Sequence, residues 1–401
     1  MKAYLIRNDA ALPPFDKPAS HVRLHDSTVG SRLRAQLAEI GCEVVDVDAL
    51  DRASIAPGSL AVQDDLVVSS RLLRTFVSAI PDRQRSYQCE IDTTRFTFTC
   101  LSEVDVPTAY RALPLHYVGD DCDAHAEPLR MIPRSVHELA QELPARVDQI
   151  TDMRAYVIDY YGIQVEHWFD LLTASSLYCR EYVAALLRPF HRVLPHWLMT
   201  HVTSWSWFRQ RCNSIGKRTR IHPTAILEGC VVGDDVVIGP FAYLRSSVIG
   251  NGAVIRERST LTMSFVGEGA FVMGCDVANS YIGPETAIFA PAVYNVVFGE
   301  RGLLGGSGGF ADFLVGSGPI VANIAGTKVQ SNLTFLGSAV GDDCFVGTNM
   351  IFAPGQTIPD GTKVFDHGLV KFTPTTSGGN YVVAGSDVIQ VPDSFMGSTR
   401  P

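Results

Sequence analysis

Apolar and polar positions follow two different rules along this chain. In the first half, short apolar runs alternate with stretches of helical spacing. MKAYLI, CEVVDVDAL and GSLAVQDDLVV are aliphatic runs of strand length, and such runs predict buried strands. STVGSRLRAQLAEIG and SRLLRTFVSAIP space their apolar residues three and four apart. That spacing predicts two amphipathic helices, the first closed by Gly41 as a C-terminal cap. Strand, helix and strand in this order predict an α/β sheet that binds ligands at its strand C-terminal ends. Helical spacing returns in FDLLTASSLYCREYVAALL, within a connector that holds Trp168, Trp197, Trp205 and Trp207 and is interrupted by Pro189 and Pro195.

From Ser214 the rule changes to lines of about seventeen residues, beginning at Ser214, Val231, Val248, Phe265 and Tyr281. Each line holds three pieces of four to six residues, such as VVGDDV, VIGPFA and YLRSS, and most pieces carry Ile, Val or Leu second. One inward apolar side chain per piece, followed by a small residue, predicts a short strand and a tight corner. Three such strands close a triangular coil, with Gly, Asn and Asp where corners need unusual backbone angles or local hydrogen bonds. Stacked coils share one apolar column, so each is stable through its neighbours.

VFGERG begins a sixth line at Val297, LLGGSGGFADFLVGSG intervenes, and lines resume near Ala339 with AVGDDC, FVGTNM and IFAPGQ. A Gly-rich insertion near 299–320 is expected, and irregular segments leaving a rigid scaffold often carry function. The expected plan is an α/β domain over 1–150, a helical connector over 151–213, the solenoid over 214–370 and a loose or partner-docked C-terminal tail over 371–401.

Composition narrows the partners. The chain has 401 residues and a net charge of −9, which argues against nucleic acid because a phosphate backbone needs a basic field. The nine cysteines form no CxxC pair, as expected of reduced, buried thiols. No charged, apolar leader follows Met1, which predicts a cytoplasmic protein, and no apolar run is long enough for a membrane span. Only five of the 34 glycines, Gly30, Gly41, Gly58, Gly119 and Gly162, lie in the first 200 residues. The two halves therefore differ chemically.

The lines over 214–370 resemble the hexapeptide-repeat, left-handed parallel β-helix. Many such proteins transfer an acyl group from acyl-CoA or acyl carrier protein to an amine or hydroxyl, commonly as trimers with shared sites. The first half resembles the sugar-1-phosphate nucleotidyltransferase fold. PPFDKP stands at the family's Pro-Lys element, with Lys17 as its lysine. In QDDLVVSSRLL, Asp65 or Asp64 stands where the family's aspartate holds Mg²⁺, and HWFDLLTAS is similar to a Trp-Asp-Leu-Leu stretch in fused relatives. The departures are as specific. RNDAALPP after the first strand lacks glycine, and no lysine occurs between Lys17 and Lys217. A triphosphate needs backbone approach that glycine permits, so a degenerate domain is expected.

Together the halves resemble the bifunctional glucosamine-1-phosphate acetyltransferase and uridyltransferase family. ANIAGTK carries Asn323 and Lys328 at the acetyltransferase's Asn-Tyr-Asp-Gly and lysine positions, with Ile324 and Ala325 replacing its Tyr and Asp. The resemblance implies that Asn323 and Lys328 face the acceptor, with Asn349 as a further binding residue. It also implies that Gly347, Thr348 and Ala353 of FVGTNMIFAPG line the acyl-CoA groove. Where the family has its basic histidine, VYNVVFGE offers Tyr294 or Asn295. Asp276 and His367 are the other candidate bases, while His222 lies in a corner and Cys275 lacks a cationic neighbour to make a thiolate.

These readings imply an acyltransferase of the hexapeptide-repeat type acting on a small polar, sugar-derived metabolite, as a homotrimer using acyl-CoA. The alternatives are nucleotide chemistry in the first half, with Mg²⁺ at Asp65, and a non-catalytic trimeric scaffold.

Overall fold

The computed structural model describes residues 1–48, 55–92, 99–100, 110–120, 126–133, 135–142, 152–187, 213–314, 319–365, 368–370, 378–384 and 387–392. The chain divides into two compact units, Met1–Leu12 with Lys17–Leu177, and Pro13–Asp16 with Tyr178–Pro401.

The first unit is a mixed α/β domain. Its main sheet runs Glu127–Met131, Tyr87–Asp92, Tyr110–Val118, Ser59–Gln63, Lys2–Ile6 and Glu43–Val47. Lys2–Ile6 pairs in parallel with Glu43–Val47 on one side and Ser59–Gln63 on the other. The strand order thus reverses at Lys2–Ile6, and a crevice beyond these C-terminal ends is where such sheets take ligands. Tyr110–Val118 runs antiparallel to both its neighbours. Both expected helices form. Val29–Glu39 starts at a Thr28 cap that accepts from the Ser31 N–H, and it gives way to Gly41 at φ 84°. Ser70–Ala79 starts at a Ser69 cap and buries Leu72, Leu73 and Phe76. The connector contributes the helix Trp168–Leu187; Pro189, Pro195, Trp197, Trp205 and Trp207 lie outside the described residues.

The second unit is a left-handed parallel β-helix of three sheets, with eight, ten and eight strands. Val231↔Val248, Val254↔Phe271 and Thr260↔Asp276 typify the coil-to-coil register. Ile249, Val266, Ile282 and Phe298 point inward from the first sheet, Ile255, Val272, Ile288 and Leu304 from the second, and Leu261, Val277, Val293 and Phe310 from the third. All belong to one buried column; burying each such side chain is worth about 1.5–3 kcal/mol. The acidic and amide corners have a structural reason. Asp234 Oδ1 accepts the Lys217 N–H at 2.6 Å, Asn251 Oδ1 the Asp234 N–H at 2.8 Å, and Asp360 Oδ1 the Asp342 N–H at 2.7 Å. Each short polar side chain thus satisfies the backbone of the preceding coil.

Two expectations about the path need correction. The glycine-rich stretch near 299–320 is not wholly an insertion, because Leu303–Leu304 and Gly309–Phe310 are strands of the second and third sheets. Its glycines are demanded by close stacking. A Cβ on Gly302 would stand 2.4 Å from Phe298 Cε1, and one on Gly305 2.8 Å from the Gly347 carbonyl carbon. The chain leaves the coil path only after Phe310 and rejoins it at Ala339–Val340. Between them Val321–Ile324 pairs antiparallel with Thr327–Gln330. Ala325 and Gly326, at φ 48° and 85°, form the tight turn that suits a two-residue hairpin. Nor is the tail simply loose. Asn380–Ala384 extends the second sheet in parallel with Lys363–Phe365 and turns back into Asp387–Val391.

Candidate functional site

A three-residue strand sends its middle side chain inward and its outer two to the surface. On the third sheet this places Tyr243, Arg245, Thr260, Thr262, Asp276 and Tyr294 on one half-buried polar face. Asp276 begins its strand and Tyr294 ends the next, in a register where Ala278 faces Tyr294. The phenol reaches diagonally and donates to Asp276 Oδ2 at 2.7 Å. Burial, then the bond to Asp276, pushes the Tyr294 hydroxyl up to about 12, with the Asp312 charge adding to the effect. Tyr294 is therefore a neutral hydrogen-bonding group rather than a phenolate base.

Asn295 occupies the corner beside it at φ 54°, stacked over Asn279 at φ 46°. Asn279 Nδ2 donates to Asn295 Oδ1 at 2.7 Å, and Asn295 Nδ2 donates to Asp312 Oδ2 at 2.8 Å. An amide has no useful basicity, so Asn295 holds a carboxylate instead of acting as the base. Burial raises the Asp312 carboxyl, while the Asn295 bond opposes the shift. Sequence inspection passed over Asp312, yet a signal was there. Asn279, Asn295 and Asp312 each lie two residues after an inward side chain, Val277, Val293 and Phe310.

Asn323 stands over the same corner. Its N–H donates to the Gly355 carbonyl at 2.7 Å; Gly355 donates to Gly337, and Gly337 to Asn295, at 2.6 and 3.0 Å. Lys328 faces Asn323 across the hairpin and is exposed. The structure thus brings Asp276, Tyr294 and Asn295 together, whereas Asn323 stands three hydrogen-bonded backbone steps from Asn295. The expected acyl-CoA residues are spread wider. Gly347, Thr348 and Asn349 form the corner before Met350–Phe352, where the Asn349 N–H donates to Gly306 O at 3.0 Å, whereas Ala353 follows that strand. His367 lies outside the described residues. His222 is an exposed corner residue whose Nδ1 lies 2.9 Å from Thr224 Oγ1. Cys275 is buried, with its thiol pushed up to about 12, and is no thiolate nucleophile.

In the first unit, Asp65 and Asp64 lie at the sheet crevice. Asn8 Nδ2 donates to Asp65 Oδ2 at 2.8 Å, the Asn8 N–H donates to Asp64 Oδ1 at 2.9 Å, and Gln164 Nε2 lies 3.3 Å from Asp65 Oδ2. Asn8 Oδ1 accepts the Ala10 N–H, which fixes the amide with its NH₂ toward Asp65. Asp65 is 1% exposed, and burial raises its carboxyl. Mg²⁺ requires several oxygen ligands at near-octahedral angles. A buried carboxylate facing two amide donors does not fit that demand, and the described residues contain no cluster of three metal-ligating side chains. Asp65 therefore does not fit as a Mg²⁺ ligand.

The bacterial transferase hexapeptide (six repeats) family model matches residues 229–262. Among solved structures, LpxA, a UDP-N-acetylglucosamine acyltransferase from Bacteroides fragilis, is 12% identical, with 46% of this chain and 72% of that one covered and a TM-score of 0.33. The UDP-N-acetylglucosamine acyltransferase from Campylobacter jejuni is 16% identical, covering 44% and 76% at a TM-score of 0.30. A GDP-perosamine N-acetyl transferase from Caulobacter crescentus, in complex with CoA and GDP-perosamine, is 17% identical, covering 45% and 57% at 0.15. No curated protein matches.

Proposed function

We propose that this protein moves an acyl group from an acyl thioester, acyl-CoA or an acylated carrier protein, to an amine or hydroxyl of a small, sugar-derived metabolite. The observation that carries the reading is the polar constellation on a hexapeptide-type solenoid. There the Tyr294 hydroxyl is held on Asp276 at 2.7 Å, beside the linked side chains of Asn279, Asn295 and Asp312. Acyl transfer needs a group that removes the acceptor's proton and a donor for the developing oxyanion. Asp276 with Tyr294 orients the acceptor, and the Asn323 amide, whose Nδ2 now lies 3.5 Å from Gln356 Oε1, turns to the carbonyl oxygen as donor. Exposed Lys328 attracts an anionic part of a substrate. The thioester arm runs along the corner formed by Gly347, Thr348 and Asn349 and past Ala353.

The protein acts as a homotrimer. Val237, Val254, Phe271, Ala287, Leu303 and Phe345 form a half-buried apolar column on the outer face of the second sheet, a surface suited to a second copy. It works in the cytoplasm, where acyl-CoA is made; no helix among the described residues is long and apolar enough to cross a membrane. The first unit is a nucleotidyltransferase-like domain without nucleotide chemistry, its switch-point acids engaged by Asn8 and Gln164. Purified protein should release free thiol from members of an acyl-CoA panel when amines or amino and hydroxyl sugars are supplied. Tyr294→Phe and Asp276→Asn should each slow release at least tenfold. Absence of both thiol release and calorimetric thioester binding across the panel overturns the reading.

A further inference from the structure

We propose that Asp312 is the general base of this transfer, aimed at the acceptor by a one-way chain of amides from Asn279 through Asn295. The inference rests on the acyl-transfer reading and names the group that takes the proton. Among the described candidates, Tyr294 keeps its proton and donates it to Asp276, whose carboxylate is engaged by that bond, and Asn295 is an amide. Asp312 Oδ2 accepts from Asn295, and no other described side chain donates to its carboxylate.

The chain has a fixed direction. Asn295 Oδ1 is pinned by the Asn279 NH₂, so the Asn295 NH₂ faces Asp312, and flipping that amide would break both bonds. At the foot of the chain, Asn279 Oδ1 is buried and finds no hydrogen-bond partner. The backbone around Asp312 is equally constrained. The Ala311 N–H donates to Phe352 O at 2.9 Å, and the Leu336 N–H to Asp312 O at 2.8 Å. The Phe313 and Phe335 rings stack at 5.2 Å immediately after it. Tyr294, on the preceding coil, feels the Asp312 charge, and Asp276 lies one coil farther; among the described residues Asp312 forms no ion pair. A partly desolvated carboxylate without a cationic partner holds a proton more readily than an exposed one, which suits a base working near neutral pH.

In the step itself, Asp312 takes the proton of the acceptor N–H or O–H as the nitrogen or oxygen lone pair bonds to the thioester carbonyl carbon. The C–S bond then breaks, its electron pair leaving on sulfur. Protonated Asp312 returns the proton to that thiolate. Ester or amide and free thiol result, with the carboxylate restored.

The test measures steady-state thiol release from the acyl-CoA and acceptor that the wild-type protein uses. Asp312→Asn should lower kcat about 100-fold or more while the KM for acyl-CoA stays within about threefold. Asp312→Ala should regain at least tenfold in kcat on adding formate, a response that a purely structural role would not give. Asn295→Ala should lower kcat less, by about tenfold. Asp312→Glu provides a folded carboxylate control should the smaller variants lose their circular dichroism, and it should keep measurable turnover. An active wild type with Asp312→Asn within threefold of it in kcat, or Asp312→Ala unmoved by formate, overturns the base assignment and leaves acyl transfer standing. A wild type that neither releases thiol from nor binds any member of the panel overturns both.

Discussion

Asp170 converts a buried carboxylate into a pH-dependent stability of predictable sign. It lies in the first turn of the helix Trp168–Leu187, and its Oδ2 accepts the N–H groups of His167 at 2.8 Å and Glu166 at 3.1 Å. Those bonds favour the ionised form, but the residue is only 8% exposed. Burial is the larger effect and pushes the carboxyl up from an ordinary 3.8 to about 6. The folded state therefore binds the proton more tightly than the unfolded state does. This contribution is fully present below about pH 4 and is lost as the pH rises through about 6. The shift is worth about 3 kcal/mol over the whole window, of which about 2 kcal/mol is present at pH 4.5. Asp170→Asn keeps an acceptor oxygen for the two N–H groups and removes the titration. Urea unfolding of both proteins at pH 4.5 and 7.5 isolates the effect. On going to pH 4.5 the wild type should gain about 2 kcal/mol relative to Asp170→Asn. Parallel pH responses would refute the reasoning, and a relative loss for the wild type would show that the two backbone bonds outweigh burial.

Two more consequences follow from close packing and exposed apolar surface. A Cβ on Gly337 would stand 2.4 Å from Tyr294 O and 2.7 Å from Asn295 O. Gly337→Ala should therefore cost about 1–3 kcal/mol and lower thiol release. Gly306→Ala, whose Cβ meets nothing closer than Phe289 O at 4.0 Å, should stay within about 0.5 kcal/mol in the same urea titration; equal losses would show that the corner accommodates the methyl. If the proposed trimer forms through the apolar column of the second sheet, Phe345→Glu, which places a charge there, should shift native mass spectra from trimer toward monomer. An unchanged trimer would move the interface off that face.

The coils were legible because their physics is local. An inward Ile, Val or Leu must recur wherever a six-residue piece meets the shared column, and Ile249, Val266 and Ile282 keep that phase through constant register. The sixth coil was harder to see. Its glycines serve a stacking need set by Phe298 and Gly347, residues of other strands, so in sequence they look like a loop. The strand Asn380–Ala384 was hidden for a related reason: its pairing partner, Lys363–Phe365, lies across a polar stretch. In the first half, the element types of Lys2–Ile6 and Val29–Glu39 follow from local pattern alone. The environment of Asp65 does not, because its partners Asn8 and Gln164 lie 57 and 99 residues away. The family resemblance therefore put a Mg²⁺ ligand at Asp65 or Asp64, where folding supplies amide donors.

Within the candidate site, the residues that could be anticipated and the one that could not differ in a single respect. Asp276, Tyr294 and Asn295 sit on coils of unbroken phase, whereas Asp312 follows the coil whose regularity the glycines obscure. Once Phe310 is recognised as inward, Asp312 falls at the same corner as Asn279 and Asn295. Its chemical type then has a physical meaning. Each amide in such a ladder accepts with its oxygen and donates with its nitrogen, so the last member needs only to accept. An asparagine there would carry an NH₂ with no described side chain beyond it to receive the bond, while a carboxylate ends the chain without an unspent donor. The ladder that stabilises the solenoid's corners thus ends in a negative charge where the chain departs from the coil path. Corner packing holds that carboxylate in place through the Leu336 N–H on its carbonyl and the Phe313–Phe335 stack that follows it.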